Sequence, residues 1–366
     1  MGVAVVPFEA HLLAAVRRLM DDAFPRPRAE AYHRWALLGD PGHRAWVVMD
    51  GERCVAVLRA FARPYRLAGR RTTCLETFDW YSSPEARRSA AGLLVMRAAM
   101  DEPEPLVNVG GTEDSLALLP RLGWRTIDEA ISYVLPLAGG ALTDEQTARL
   151  GPLAPAGRAA LGVAGRAWFG RGRATAPPQG RVEELAAPGE EVVALAEGDA
   201  HHATMPLPDP PHLRWLAEGA EAVGRFRSLL FRVGGAPAGW GMTRVNDGPD
   251  GTEASLVEVY APQPDPAVLR WMVAELVDLV RPERPVHVRA QATSPALAEA
   301  LRGQRFVRAH GRPVQVWAPD GLAGTAPTHF TMTTQDFPLL PYAERWGAQP
   351  PADPAARPTM EDARVR

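Results

Sequence analysis

The chain has 366 residues, a length that predicts about two domains. Its 40 basic residues are all arginines and nearly balance 43 acidic residues, which leaves a formal net charge of -3. Because arginine stays charged, the absence of lysine excludes reactions that need a side-chain amine, such as Schiff-base chemistry or P-loop nucleotide binding. The balanced charge also argues against a nucleic-acid-binding protein.

The sequence carries no pattern typical of secretion, membrane insertion or metal binding. Cys54 and Cys74 are the only cysteines, and they form neither a disulfide framework nor a zinc-binding spacing. The N-terminal segment lacks the order of a signal peptide, and no apolar run approaches about 18 residues. His201 and His202 follow Asp199, but adjacent residues on a strand point apart, so we expect no metal site. These features predict a soluble cytoplasmic protein without a membrane or nucleic-acid partner.

In chain order, the predicted elements of the first half recur in the second half at an offset of about 180 residues. Each half reads as a helix, a hairpin, a strand, a helix, a strand, a helix and a closing strand. The strand around Glu76 aligns with the strand around Glu258, and Trp35 aligns with Trp215. We interpret the two tryptophans as packing residues, with acceptor contact as the alternative. The repeat predicts an α/β protein with an α+β mixed sheet, built as two tandem domains of one architecture.

Composition sets the expected domain boundaries. We predict a first domain over 1–137 and a second over 181–340, in which 328–337 forms a last strand. Between them, 138–180 reads as a Gly/Ala/Pro-rich basic linker with a helix, and 341–366 reads as a Pro-rich disordered tail. Solvated arginines explain the basic linker, and a contact with phosphate or an anionic surface is the alternative.

A stretch of small residues connects a predicted strand of the first half to the next helix. Its pattern is Arg87-x-x-Ala90-x-Gly92 at the helix start. Small residues let a ligand approach the backbone there, and free N–H groups with the positive helix end favour a pyrophosphate. The pattern resembles the acyl-CoA pyrophosphate loop of the GNAT superfamily of N-acyltransferases, Gln/Arg-x-x-Gly-x-Gly/Ala, with Ala90 in place of the first glycine. The resemblance covers residues 5–137, and residues 182–320 only in architecture.

The resemblance implies an acyl-CoA-dependent N-acyltransferase, with acetyl-CoA as the expected donor, that acts on the amine of a small molecule without a metal. The equivalent loop of the second half, 266–274, lacks glycine and carries bulky side chains, so only the first half is expected to bind CoA. In the first half, the strand backbone would pair with the pantetheine amides, and the loop would hold the pyrophosphate. The residues thus implied in cofactor binding are Trp80, Tyr81, Ser82, Arg87, Arg88, Ser89, Ala90, Ala91 and Gly92.

The resemblance also implies a carboxylate base on the strand before the loop. Such a base takes a proton from the acceptor ammonium, directly or through water. Glu76 matches the position used in many family members, and Asp79 is the alternative, on the opposite face of the strand. Leu119 matches the position of the usual tyrosine acid, so Tyr133, Tyr81 or water would protonate the departing thiolate. For either carboxylate, a structural pairing with arginine is the competing interpretation.

Two other functions stay open at this point. One is an aminoacyl or acyl transferase of the related Fem-like tandem fold with a different donor. The other is a non-catalytic GNAT-fold binding protein, in line with Ala90 and Leu119 at positions where the family uses glycine and tyrosine. The tandem arrangement is compatible with a monomer or a homodimer.

Overall fold

The computed structural model describes residues 4–23, 30–137, 174–219, 223–248, 251–319 and 324–334. Residues 138–173 of the predicted basic linker lie outside the described residues, and so does the whole predicted tail, 341–366. Within the described residues, no helix is long and apolar enough to cross a membrane. The described elements form one mixed sheet with helices packed on it, which confirms the predicted α/β class.

The first half begins with a short edge strand and two helices, followed by a three-stranded meander. Its long strands β3 and β4 form a hairpin closed at Ala68 and Gly69, both of which have a positive φ. The elements are β1 Ala4–Pro7, α1 Leu13–Ala23, α2 Glu30–Leu38, β2 His43–Asp50, β3 Arg53–Leu67, β4 Arg70–Ser82, α3 Ala91–Met100, β5 Leu106–Val109, α4 Glu113–Leu118 and β6 Arg125–Pro136.

The second half repeats this order, which confirms the internal repeat, and adds the short strand β8. Its elements are β7 Gly180–Leu185, α5 Glu190–Glu197, β8 Met205–Pro206, α6 Pro210–Glu218, β9 Arg225–Val233, β10 Ala236–Gly248, β11 Gly251–Tyr260, α7 Pro266–Val280, β12 His287–Ala292, α8 Pro295–Gly303 and β13 Val307–Trp317. The long helix α7 buries an apolar face against β10 and β11, as α3 does against β2, β3 and β4.

The strands follow a single path through the molecule. The sheet has 13 strands in the order β1-β2-β3-β4-β5-β13-β6-β12-β11-β10-β9-β7, with β8 paired to β3. This order reads the same from both ends when equivalent strands are exchanged, so an approximate two-fold axis relates the halves. The axis passes between the closing strands β6 and β13, which pair with each other in antiparallel orientation.

The closing strands are exchanged between the halves. Strand β6 of the first half pairs with β12, and strand β13 of the second half pairs with β5. One closing strand per half is therefore present as predicted, but each lies in the sheet of the other half. Apolar alternation determines which face a strand buries and does not determine which neighbour it pairs with. The exchange makes the sheet continuous across the two halves.

The predicted last strand over 328–337 is wrong for its described part. The chain there makes a single bridge to Thr204 and then a 3-10 turn. Thr331 and Thr333 donate to one oxygen of the buried Glu258 carboxylate, at 2.9 and 3.1 Å. The alternating threonines therefore reflect hydrogen bonding to one carboxylate and not a pleated strand.

Two tryptophans pack across the approximate two-fold axis. The rings of Trp35 on α2 and Trp215 on α6 are stacked, with centroids 4.4 Å apart and planes inclined by 13°. Each indole N–H donates to the main-chain carbonyl of the other tryptophan at 3.2 Å. The interpretation of this pair as packing residues is therefore confirmed.

Candidate functional site

A cleft separates β4 from β5 in the first half. The two strands form only two parallel residue pairs, Leu75 with Leu106 and Glu76 with Val107. At the point where they part, Thr77 Oγ1 donates to the Val107 carbonyl at 3.1 Å. Beyond it, β5 continues beside β13 while β4 continues beside β3. Among the described residues, the last part of β4 therefore has no strand neighbour on the β5 side.

A β-bulge in β4 lies beside this cleft. The pairing register of β3 and β4 shifts between Val57 and Arg59, and Asp79 on β4 has a left-handed φ of 48°. Aspartate and asparagine adopt this conformation more readily than other residues with a Cβ. The bulge places the Asp79 side chain beside the Arg59 guanidinium, with Oδ2 accepting from Nη1 at 2.7 Å.

The bulge also corrects the expected directions of the two candidate bases. Glu76 pairs with Arg63 and Asp79 pairs with Arg59. The two arginines are four residues apart on β3 and so lie on one face of the sheet. The prediction that Glu76 and Asp79 point to opposite faces is therefore wrong, because the bulge interrupts the two-residue alternation on which it was based.

Glu76 is buried below the cleft. Its side chain is 2% exposed, and Oε2 accepts from Arg63 Nη1 at 3.1 Å and from the Tyr65 hydroxyl at 2.8 Å. Burial raises the pKa of Glu76, and Arg63 and Tyr65 oppose that effect by stabilising the carboxylate. Glu76 lies at the level where β4 and β5 still pair. Its ion pair with Arg63 is the structural pairing that competed with a catalytic role for this residue.

The loop after β4 leads to a helix start without a carboxylate cap. Helix α3 has Ala90, which offers no side-chain acceptor, at its N-cap position, and its first turn holds no acidic residue. Its first N–H groups have no acceptor within the helix. The Trp80 indole donates to the Gly92 carbonyl at 2.8 Å, and a Cβ on Gly92 would lie 2.6 Å from Ser82 Oγ. Small size at this glycine is therefore required by contact with β4.

The remaining loop residues differ in exposure. The Ser89 hydroxyl donates to the Ala86 carbonyl at 2.7 Å and accepts from the Ala91 N–H at 3.3 Å, which closes the turn before α3. Arg87 is exposed, while nothing is described of the Arg88 side chain. Tyr81 packs against the apolar cluster between α1 and the sheet. The loop thus presents backbone and one described arginine to solvent at the end of the cleft.

The structure does not bring Tyr133 together with the carboxylates. Tyr133 lies on β6, three strands from β4, which corresponds to about 14 Å. It is 4% exposed and packs in the core of the second half. Leu119 is 1% exposed in the core of the first half. Neither residue reaches the cleft as a proton donor.

The equivalent helix of the second half begins differently. The Asp265 carboxylate caps α7 by accepting from the Ala267 N–H at 2.7 Å, and Pro266 removes one N–H from the first turn. Nearby, Glu258 accepts from Thr331, Thr333 and the buried His329. The start of α7 is therefore capped by a carboxylate, whereas the side-chain acceptor described at the start of α3 is the neutral Ser89 hydroxyl.

No metal site is present among the described residues, where no group of three or more His, Cys, Asp or Glu could hold an ion. Asp199 binds His202 Nδ1 at 2.7 Å and the Tyr260 hydroxyl at 2.7 Å. Asp199 and His202 thus belong to a buried hydrogen-bond network that links β11 to the chain before β8, while the His201 side chain is exposed.

The sequence interpretation missed the two arginines of β3. Arg59 and Arg63 are 0% and 3% exposed and stand in an otherwise apolar stretch of the strand. A charged residue inside an apolar strand indicates a buried partner of opposite charge. Applied to the next strand, this rule would have paired them with Glu76 and Asp79.

Comparison with known proteins places the fold. No family model matches the chain, and no curated protein matches its sequence. A GCN5-related N-acetyltransferase from Anabaena variabilis ATCC 29413 matches with 12% identity and a TM-score of 0.55, over 86% of this chain and 72% of that one. A tandem GNAT protein from the clavulanic acid biosynthesis pathway matches with 17% identity and a TM-score of 0.52, over 88% of this chain and 100% of that one.

An acyltransferase structure with a bound acyl-CoA is also similar. The Saccharomyces cerevisiae N-myristoyltransferase with bound myristoyl-CoA matches with 11% identity and a TM-score of 0.53, over 90% of this chain and 89% of that one. Each of these similarities extends over 86% or more of this chain and so includes both halves. The chain therefore has the GNAT acyltransferase fold in a tandem arrangement.

Proposed function

We propose that this protein is an acyl-CoA-dependent N-acyltransferase that transfers an acetyl group to the amine of a small molecule. The observation that carries the proposal is the cleft between β4 and β5, which ends at the start of α3, where no carboxylate caps the helix among the described residues. Such a cleft suits an extended ligand with amide groups along its length and a pyrophosphate at its end. In the second half, the Asp265 cap opposes an anion at the equivalent helix, so the proposal places one donor site in each chain.

The first-half residues suit acyl-CoA as follows. The backbone of Trp80, Tyr81 and Ser82 would pair with the pantetheine amides, since no described strand pairs with the β5 side of this segment. The loop from Ser89 to Gly92 would hold the pyrophosphate with its N–H groups, together with Arg87 and Arg88 as the cations. Ala90 is exposed with a φ of -78°, a conformation that needs no glycine.

The reaction then requires one base and one backbone contact. Asp79 at the bulge takes a proton from the acceptor ammonium, directly or through water, and the freed amine attacks the thioester carbonyl. Backbone N–H groups of β4 stabilise the charge that develops on the carbonyl oxygen. As the N–C bond forms, the C–S bond breaks; the nitrogen gives up its second proton to water, and water delivers a proton to the departing thiolate, so that the products are the amide and the free thiol of CoA. We prefer Asp79 to Glu76 because Glu76 lies below the cleft.

The proposal is tested by thiol release from acetyl-CoA with a panel of small amines. Asp79→Asn keeps a residue that tolerates a positive φ and removes the base, so we expect turnover to fall by about 100-fold or more. Binding of acetyl-CoA, measured by calorimetry, is expected to change by less than about threefold. Absence of thiol release by the unmodified protein with every amine would contradict the proposed activity.

A matched variant separates the two carboxylates. Glu76→Gln leaves the buried Arg63 without its counter-charge, so we expect a loss of about 3 kcal/mol of stability with kcat largely retained below the melting temperature. Turnover abolished by Glu76→Gln in a protein that still melts cooperatively and binds acetyl-CoA would move the base to Glu76.

A non-catalytic acyl-CoA-binding protein is the second candidate. The buried Leu119 favours it, because this residue offers no proton where a tyrosine acid would act. Acetyl-CoA binding without thiol release, for the unmodified chain and the whole amine panel, would support this candidate over the enzyme.

A further inference from the structure

Arg59 is a fully buried arginine that the reaction outlined above does not use. Its Nη1 donates to Asp79 Oδ2 at 2.7 Å, and its Nε donates to His43 Nε2 at 3.1 Å. Its Nη2 donates to the Ala36 carbonyl of α2, and its guanidinium carbon lies 4.6 Å from the centre of the Phe78 ring. Strands β2 and β4 and helix α2 therefore all hold one guanidinium group.

The partners of Arg59 have fixed roles. Burial and the Arg59 charge lower the pKa of His43 well below its ordinary value, so the imidazole stays neutral and its Nε2 keeps the lone pair that accepts from Arg59. The main-chain carbonyl of Ala36 accepts at any pH. With Nε and Nη2 engaged in this way, Nη1 is directed at the bulge and at one oxygen of Asp79.

This arrangement leaves the second oxygen of Asp79 available. Arg59 is the side chain that binds Asp79 within the described residues, and it binds only Oδ2. A carboxylate held by one oxygen keeps a single orientation and presents the other oxygen to an incoming donor. The left-handed backbone at Asp79 then sets where Oδ1 lies relative to the cleft.

The second half contacts the same helix. Ala36 follows Trp35, whose ring stacks on Trp215 of the second half and whose carbonyl accepts from the Trp215 indole at 3.2 Å. Two successive carbonyls of α2 are therefore bound, one by the second half and one by Arg59. Helix α2 therefore contacts both the second half and the Arg59 guanidinium.

We propose that Arg59 is a positioning residue that orients Asp79 at the cleft, and that the Trp35–Trp215 contact lets the second half fix this orientation. The inference rests on the proposed function, in which Asp79 is the base. It assigns a role in turnover to a half that carries no donor site of its own.

The first test compares Arg59→Met, Asp79→Asn and the double variant in thiol release. If Arg59 acts through Asp79, Arg59→Met lowers kcat by about 10-fold or more, and the double variant is about as slow as Asp79→Asn alone. The Kd for acetyl-CoA stays within about threefold in each protein. Losses that multiply in the double variant, or an unchanged kcat in Arg59→Met, would overturn the inference.

Arg59→Lys is a second variant that keeps the test valid if Arg59→Met does not fold. Lysine keeps a cation beside Asp79 but cannot donate in the fork geometry to Ala36 and His43 as well, so we expect a folded protein with kcat between Arg59→Met and the original. A kcat of Arg59→Lys equal to that of the unmodified protein would show that charge alone is needed and would contradict positioning.

The second test addresses the contact between the halves. Trp215→Phe removes the indole N–H bound to the Trp35 carbonyl, and we expect kcat to fall by about threefold or more without weaker acetyl-CoA binding. Trp271→Phe, a buried tryptophan of the second half that contacts Phe231, is the matched control with unchanged kcat. Equal effects of the two variants would overturn the coupling.

The outcomes also separate this inference from the proposed function. Absence of thiol release by the unmodified protein contradicts both. Turnover that depends on Asp79 but not on Arg59 or Trp215 contradicts the inference alone and leaves the proposed function in place.

Discussion

Two glycines at equivalent positions set how closely the halves approach. A Cβ on Gly39 would lie 2.6 Å from Trp215 Nε1, and a Cβ on Gly219 would lie 2.4 Å from Trp35 Cε2. Neither glycine has a left-handed φ, so the backbone conformation does not explain them. The two glycines are explained by close packing, because the Trp215 ring lies against Gly39 at the end of α2 and the Trp35 ring lies against Gly219 at the end of α6.

This packing predicts the effect of a single methyl group. Gly219→Ala forces the stacked rings apart, and we expect it to lower the free energy of unfolding by about 1–3 kcal/mol in urea denaturation. Gly198→Ala is the matched control, because its Cβ would lie 3.5 Å from the Ala194 carbonyl, and we expect a change within about 1 kcal/mol. Equal losses in the two variants would contradict the account of the interface.

Asp79 and Arg59 also show which features of the site could be predicted from the sequence. The family resemblance implied Glu76 as the base with Asp79 as the alternative, and the identity of residue 79 as aspartate suits the left-handed bulge. Its direction could not be predicted, because alternation holds only while the strand has no bulge. Arg59 was absent from the interpretation, since a pairing between β3 and β4 has to be known before an arginine on one strand is assigned to a carboxylate on the other.

At the scale of elements, α3 and α7 occupy equivalent places but begin with different chemistry. Helix α3 starts without a carboxylate cap among the described residues, whereas Asp265 caps α7 and Pro266 removes an N–H group. The sequence predicted this difference in part, because the glycine of one loop and the bulky side chains of the other are local features. The exchange of β6 and β13 was not predictable, because two closing strands with the same alternation suit either neighbour.

Removal of the Asp265 cap is expected to lower the stability of the protein without creating a second site for acetyl-CoA. Asp265→Ala removes the acceptor for the Ala267 N–H, and we expect a loss of about 1 kcal/mol in urea unfolding. Asp265→Asn keeps an acceptor and is expected to lose only a few tenths. Neither variant is expected to bind a second acetyl-CoA in calorimetry, because Pro266 still lacks an N–H; a second site would contradict the assignment of one donor site per chain.

At the scale of the molecule, buried polar groups join the two halves. Asp40 of the first half binds His212 Nδ1 of the second, and the Arg63 guanidinium donates to the Thr333 carbonyl at 2.9 Å. Burial and the Arg63 charge lower the pKa of His212 to about 4, against the opposing effect of Asp40. The folded protein therefore keeps His212 neutral at pH values where the unfolded chain binds a proton.

This difference predicts acid sensitivity of the whole fold. A depressed histidine pKa gives stability that is present above the unfolded value of about 6.5 and is lost as the pH falls toward 4, by up to about 3 kcal/mol. Thermal unfolding between pH 8 and 4.5 measures the loss. His212→Asn keeps a donor to Asp40 and is expected to flatten the pH dependence, whereas the exposed His11→Asn is not. Identical slopes for the two variants would contradict this origin.

The account as a whole depends on the donor site in the first half. Calorimetric titration with acetyl-CoA tests it directly, using the unmodified chain, Gly92→Trp at the start of α3 and, as the control, Gly198→Trp directly after the distant helix α5. We predict one site per chain that is lost in Gly92→Trp and retained in Gly198→Trp. No binding at millimolar acetyl-CoA, or binding that persists unchanged in Gly92→Trp, would contradict the account.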